Sequence, residues 1–249
     1  MTTEADSTPM AIDASDKWLY KAGGIFACVL SLVFIVEIGL GAYLGTFPTY
    51  SGLAWMSFVN EKSGALSAII AVGVILDILY LLVNLSLYTA LRSVSRGLVL
   101  IATVLACLGN VLDLVFGNAN FGSLLTLGGQ YAAAGSAAQR TADVAAADYA
   151  AAMLNSWVET VFGFVIPAVA LVLMGIVMLR SPFGKRIGYL GIAAGVFGLI
   201  QISGWSLAAF LNLVLQVIWL MLVGRCLYLR YAAPAPVMST ELSEKPLTV

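Results

Sequence analysis

From residue 64 to residue 91 the chain carries a single charged side chain, Asp77, in an otherwise apolar run. About 20 apolar residues in helical form cross a hydrocarbon core of roughly 30 Å, because each residue rises about 1.5 Å. A helix satisfies its own backbone hydrogen bonds, so such a run can be stable in lipid. Six runs of this kind occur, at 22–44, 64–91, 98–116, 157–179, 187–203 and 207–229. Pro182 and Gly184 mark the break before the fifth, and a tight turn near 203–206 parts the last two. The expected fold class is all-α, a polytopic transmembrane bundle of six helices in one membrane domain, residues 22–230. Composition agrees: 61% of residues are hydrophobic and 10% charged, with a mean hydropathy of +0.99. Soluble domains carry about a quarter charged residues, so a water-facing surface cannot be built from this chain.

Charge placement orients the bundle. With the N-terminus inside, Lys17, Lys21, Arg92, Arg96, Arg180, Lys185, Arg186, Arg225, Arg230 and Lys245 fall on the cytoplasmic side, and only Lys62 and Arg140 fall outside. That bias predicts an even number of spans in the plasma membrane with both termini cytoplasmic. Interfacial aromatics are expected to be Trp18, Tyr20, Tyr189 and Tyr228 inside, and Tyr43, Trp55, Trp157 and Trp205 outside. The opening MTTEADSTPMAIDASD is acidic and lacks the basic start of a cleavable signal peptide, so the first span reads as an uncleaved signal anchor. Residues 1–21 and 231–249 read as cytoplasmic tails, the second flexible with Pro234, Pro236 and Pro246.

The third and fourth spans are joined by an outer connection at 117–156. Its alanine-rich part, 132–155, reads as a surface helix with Thr141 as N-cap. FGSLLTLGGQYAAAG before it is too short to span, and reads as an interfacial or re-entrant piece. A solvated cap and a lid over a binding site are both open to this connection.

Missing residue types exclude much chemistry. The chain has no histidine, which excludes imidazole haem ligation, histidine zinc sites and Ser-His-Asp hydrolysis. No lysine falls in the six apolar runs, so no retinal Schiff base is expected. Cys28, Cys107 and Cys226 form no CxxC pair and read as small packing residues. Basic residues are scattered, so no nucleic-acid partner is expected. No phosphate-binding loop or dinucleotide fingerprint appears, and no cofactor or metal is implied.

Four acids remain inside or at the edge of spans: Glu37, Asp77, Asp113 and Glu159. A charge at a helix centre costs about 2.5–3.5 kcal/mol on insertion scales, so Asp77 is either protonated and hydrogen-bonded or faces a cavity. Helical spacing places Gly73, Asp77, Tyr80, Asn84 and Tyr88 on one face of the second span, and Thr103, Cys107, Asn110 and Asp113 on one face of the third. Asn212 and Gln216 form a one-turn pair in the sixth, with Trp219 beyond them. Asp77, Tyr80, Asn84, Asn110, Asp113, Glu37, Asn212 and Gln216 are therefore the candidates for binding a ligand or a proton. Against that, Asn84, Asn110, Asn212 and Gln216 also suit interhelical hydrogen bonding alone. Glu159 reads as an interfacial or helix-start acid. In the fifth span Gly188, Gly191, Gly195 and Gly198 share a face that suits a packing seam or a dimer contact, and Pro167 is expected to kink the fourth.

FGFVIPAVALVLMGIVMLRSPFGKRIGYLGIAAGVFGLI, from Phe162, carries Ser181, Phe183 and Arg186 in a Ser-x-aromatic-x-x-Arg connection. With DILYLLVNLSLYTALRSVSRGLVLIA from Asp77 and LNLVLQVIWLMLVGR from Leu211, it resembles the bacterial six-helix membrane family catalogued as domain of unknown function 4386. The resemblance runs across most of residues 22–230. It implies a six-helix membrane unit and no established activity, so no functional residue carries over. Family members often place an arginine ahead of the third-helix acid, where this chain has Gly109 and Asn110 before Asp113.

Three functions follow from these residues. The first is a non-enzymatic protein that binds or transports a small or lipophilic ligand in a polar pocket within the bundle, with proton exchange on Asp77. The second is a structural or regulatory membrane component with a dry, closed bundle. The third is an intramembrane enzyme using carboxylates on a lipid-like substrate. Membrane lipids are the expected surroundings in each.

Overall fold

A computed structural model describes residues 14–232. Of the expected tails at 1–21 and 231–249, residues 1–13 and 233–249 lie outside the described residues, while 14–21 and 231–232 belong to the first and last helices. The helices are α1 (Ala14–Leu44), α2 (Gly52–Leu91), α3 (Arg96–Asp113), α4 (Ala119–Ala133), α5 (Ala137–Leu154), α6 (Trp157–Glu159), α7 (Ile166–Met178), α8 (Lys185–Ile200) and α9 (Ser206–Ala232). A π-helical turn, Leu114–Asn118, joins α3 to α4, and a second, Thr160–Val165, joins α6 to α7. No strand occurs among the described residues. Six helices or continuous helical stretches are long and apolar enough to cross a membrane, the build of a multi-pass membrane protein.

The six spans close into a ring. α1 packs on α2, α2 on α3, α3 on α7, α7 on α8, α8 on α9, and α9 returns to α1. A ring of six helices leaves a space on its axis. Toward the end that carries Arg92 and Arg180, buried Leu87, Leu91, Met178, Leu220, Val223 and Leu227 fill it.

The opposite end is built differently from the sequence expectation. The helices begin earlier or run longer than the apolar runs: α2 starts at Gly52 and spans 40 residues, about 60 Å at 1.5 Å per residue. Its first turns project beyond the bundle, and α4 and α5 pack against them as a helical hairpin. This cap has its own core of Trp55, Met56, Val59, Leu66, Leu124 and alanines of α5. The segment expected as an interfacial or re-entrant piece is therefore α4, a regular helix continuing from α3. Ser136, not Thr141, caps α5, its hydroxyl accepting from the Gln139 N–H at 3.2 Å. Thr141 instead donates to the Ala137 carbonyl inside the helix.

Two aromatics expected at the membrane interfaces are instead buried. Trp55 is 1% exposed, stacked on Phe47 in the cap core rather than at a membrane interface. Tyr20 is likewise buried, whereas Trp18, Tyr43, Trp157 and Trp205 are exposed. Lys62, placed by sequence outside the second span, lies within α2 at a non-helical residue (φ −127°, ψ 22°). Its ammonium donates to the Leu44 carbonyl at 2.6 Å and thereby caps the end of α1.

The glycine face of α8 is a packing seam within the bundle. A Cβ on Gly195 would lie 2.6 Å from the Ala168 carbonyl oxygen, and one on Gly188 would lie 2.8 Å from that of Gly175, so both press on the α7 backbone. Gly191 and Gly198 admit Trp219 and Asn212 of α9. Gly204, at φ +80°, makes the tight turn between the last two spans, a conformation that glycine adopts without steric cost.

Candidate functional site

Between the filled end of the ring and the cap lies a cavity of about 700 Å³. Such a volume falls in the range of small-molecule sites, roughly 300–1,000 Å³. Its wall includes all eight sequence candidates: Glu37 from α1, Asp77, Tyr80 and Asn84 from α2, Asn110 and Asp113 from α3, and Asn212 and Gln216 from α9. Phe47 and Phe121, 5.5 Å apart between ring centroids, stand at the cap end.

The polar residues fall into two groups. Toward α9, the Tyr80 hydroxyl donates to Gln216 Oε1 at 3.0 Å, Gln216 Nε2 to Asn212 Oδ1 at 3.3 Å, and Asn212 Nδ2 to the Ala194 carbonyl at 2.8 Å. This chain ties α2, α9 and α8 together, the interhelical role that Asn212 and Gln216 suit from sequence. It also forms one face of the cavity.

The second group is acidic. Asp77 Oδ2 accepts from Asn118 Nδ2 at 3.0 Å. Asn118 reaches it because Gly73, one turn away on α2, has no side chain: a Cβ there would stand 2.6 Å from the side-chain Oδ1 of Asn118. Across the cavity, Asp113 Oδ1 and Glu159 Oε1 stand together beside Gly117 and Gly163. Gly117 and Gly163 make room for the pair; a Cβ at Gly117 would lie 2.5 Å from Asp113 Oδ1, and one at Gly163 would lie 2.9 Å from Glu159 Oε1. Glu159 Oε2 is buried without a hydrogen-bond partner, as is Asn110 Nδ2.

Glu159 and Asn118 were not among the sequence candidates. Glu159 does stand in a first helical turn, where its N–H donates to the Ser156 hydroxyl. It is nevertheless 7% exposed and turned into the bundle, not to an interface. Asn118 escapes periodicity because it is five residues beyond Asp113. On a regular helix of about 3.6 residues per turn, that offset points well away from Asp113. The π turn at Leu114–Asn118 bonds i to i+5, so five residues come close to one full turn and Asn118 returns to the inner face. Three other expected stripe members do not line the cavity, the first being Tyr88, which packs against the bundle core. Thr103 is buried deeper in the bundle and Cys107 is half-buried to one side, while Ala106 and Gly109 take the inner positions of α3. Pro167 enters the first turn of α7 directly after the second π turn, and its ring packs against Gly109.

Four carboxyl groups from four separate elements thus meet one cavity whose described wall holds no lysine or arginine. Aromatic and aliphatic side chains make up the rest: Phe34, Phe164, Leu171, Leu213 and Trp219 among them. Comparison with known proteins finds no matching family model, no matching curated protein and no matching solved structure.

Proposed function

We propose that the protein is a non-enzymatic membrane protein that binds or transports a small or lipophilic ligand in this cavity. The observation that carries the reading is the convergence of Glu37, Asp77, Asp113 and Glu159 on one space of about 700 Å³ within the ring. A bundle held together only for structure would gain by filling such a space, since buried polar groups without partners cost about 1–3 kcal/mol each. The unpartnered Glu159 Oε2 and Asn110 Nδ2 favour a cavity occupied by water or ligand over a dry one. An intramembrane enzyme is the second reading, supported by the adjoining Asp113 and Glu159 carboxyl groups, which have the chemistry of a general acid and base.

Accessibility tests the cavity. In protein with Cys28, Cys107 and Cys226 replaced by alanine, the Ala106→Cys variant is expected to react with a small water-soluble maleimide at least tenfold faster than Ala102→Cys. Ala106 lines the cavity and Ala102, one turn away, is 0% exposed in the packed core. Equal rates would contradict a hydrated cavity.

We further propose a plasma-membrane location with both termini cytoplasmic, and membership of the family catalogued as domain of unknown function 4386. The charge bias supports the orientation, and the six-span ring is compatible with the family unit. A phosphatase active only in the periplasm, fused after Val249, is expected to stay inactive, while a fluorescent protein at the same point is expected to fold. An active phosphatase would reverse the topology.

A further inference from the structure

Resting on the proposed binding function, we infer that the cavity's ligand is an amphiphilic organic cation, an onium or protonated amine carrying an apolar body. The wall presents Glu37, Asp77, Asp113 and Glu159 and, among the described residues, no cationic side chain. An anionic ligand would find no cationic partner there, and a neutral lipid chain would leave the acids without use. Glu159 supplies an observation separate from the cluster's composition: it lines the cavity while only 7% exposed, and its Oε2 is buried with no hydrogen-bond partner in the protein. A bare metal ion does not suit the site, because no three acidic or cysteine side chains among the described residues stand close enough to ligate one. The remaining wall suits an organic body instead. Phe34, Phe47, Phe121, Phe164 and Trp219 line it, and aromatic rings attract a cation held over their faces.

Charge balance gives the step. The titratable groups facing the cavity are Glu37 from α1, Asp77 and Tyr80 from α2, Asp113 from α3 and Glu159 from α6. A cation entering beside a protonated carboxyl converts it to carboxylate, and that proton leaves to solvent; cation release takes the proton back. No bond to the ligand forms or breaks.

The probes are tetraphenylphosphonium and tetraphenylborate, alike in shape and opposite in charge, measured by equilibrium dialysis on detergent-solubilised full-length protein against detergent alone. Phosphonium is expected to bind at least tenfold more tightly than borate and to release protons into weakly buffered solution, which must come from the protein because the probe has none to give. Asp77→Asn is expected to weaken phosphonium binding at least tenfold. Glu37→Gln serves the same purpose should the first variant fail to fold. Borate binding as tightly as phosphonium, or phosphonium binding unchanged in both variants, would overturn the cation assignment. Ala106→Trp, which fills the cavity, separates this inference from the reading beneath it. If it abolishes borate binding while phosphonium never binds, the pocket stands and the cation is wrong. If neither probe binds and Ala106→Cys is as unreactive as Ala102→Cys, both are wrong.

Discussion

Gly195→Val is expected to remove most folded protein from detergent extracts, a large stability loss for a single substitution. The new Cβ would stand 2.6 Å from the Ala168 carbonyl oxygen and 3.0 Å from the Val172 N–H nitrogen, so it meets backbone that no rotamer change can move. Overpacking costs about 1–3 kcal/mol when side chains can yield, and more when helices must separate. Here α7 and α8 must part, and α8 also carries Ala194, whose carbonyl anchors Asn212. The loss is therefore expected at about 3 kcal/mol or above, read as a fall in unfolding temperature and a shift to aggregate on size exclusion. Gly129→Ala in α4 is the matched control. Nothing lies within 4 Å of its Cβ position, and alanine favours an exposed helix by about 1 kcal/mol. A destabilisation by Gly129→Ala as large as that by Gly195→Val would show that the seam is not the cause.

The second large effect is expected at Asp77, and it is cooperative. Asp77→Leu removes the acceptor at 3.0 Å from Asn118 Nδ2 and leaves that amide facing Gly73 without its partner. A buried donor left unsatisfied costs about 1–3 kcal/mol. Asn118→Leu strands the carboxyl group instead. The double variant strands neither, so the two single losses are expected to exceed the double loss by about 1–2 kcal/mol in unfolding experiments. Additive losses would mean that the two side chains do not meet. Asp77→Asn keeps a polar partner for Asn118, so it is expected to cost little stability while removing the only charge that position can carry.

This pair also shows what the sequence makes legible and what it hides. Asp77 is conspicuous because an acid in the middle of an apolar run is costly wherever the chain goes, and regular α2 geometry carries Tyr80 and Asn84 onto the same face. Asn110 and Asp113 of α3 and Asn212 and Gln216 of α9 likewise follow from helical spacing, although Thr103 and Cys107 of the same α3 stripe do not reach the cavity. The number of spans follows from the apolar runs. Asn118 does not follow, because its placement depends on a π turn that shifts the helical register after Asp113. Glu159 is hidden for a related reason: a helix-start acid after Ser156 has a sufficient local explanation, and only the approach of α3 reveals its place beside Asp113. The cap was misjudged for want of a long-range partner. Residues 121–135 are too short to span and, considered alone, too apolar for solvent, but they become an ordinary helix once the projecting turns of α2 give Leu124 a core to enter.

The central claim is that one accessible cavity lies on the axis of the ring, and its most direct measure is thiol accessibility on several of the surrounding helices. In the cysteine-free background, Ile38→Cys on α1, Ala106→Cys on α3 and Leu213→Cys on α9 all line the cavity. Ala27→Cys, Ala102→Cys and Leu220→Cys place thiols on the same three helices at positions that are 0% exposed. The account predicts that the first three react with a water-soluble maleimide at least tenfold faster than the second three, and that Ala106→Trp slows the Ile38→Cys and Leu213→Cys reactions together. Lining thiols as inert as the core ones, or rates at Ile38→Cys and Leu213→Cys indifferent to Ala106→Trp, would contradict a single shared cavity.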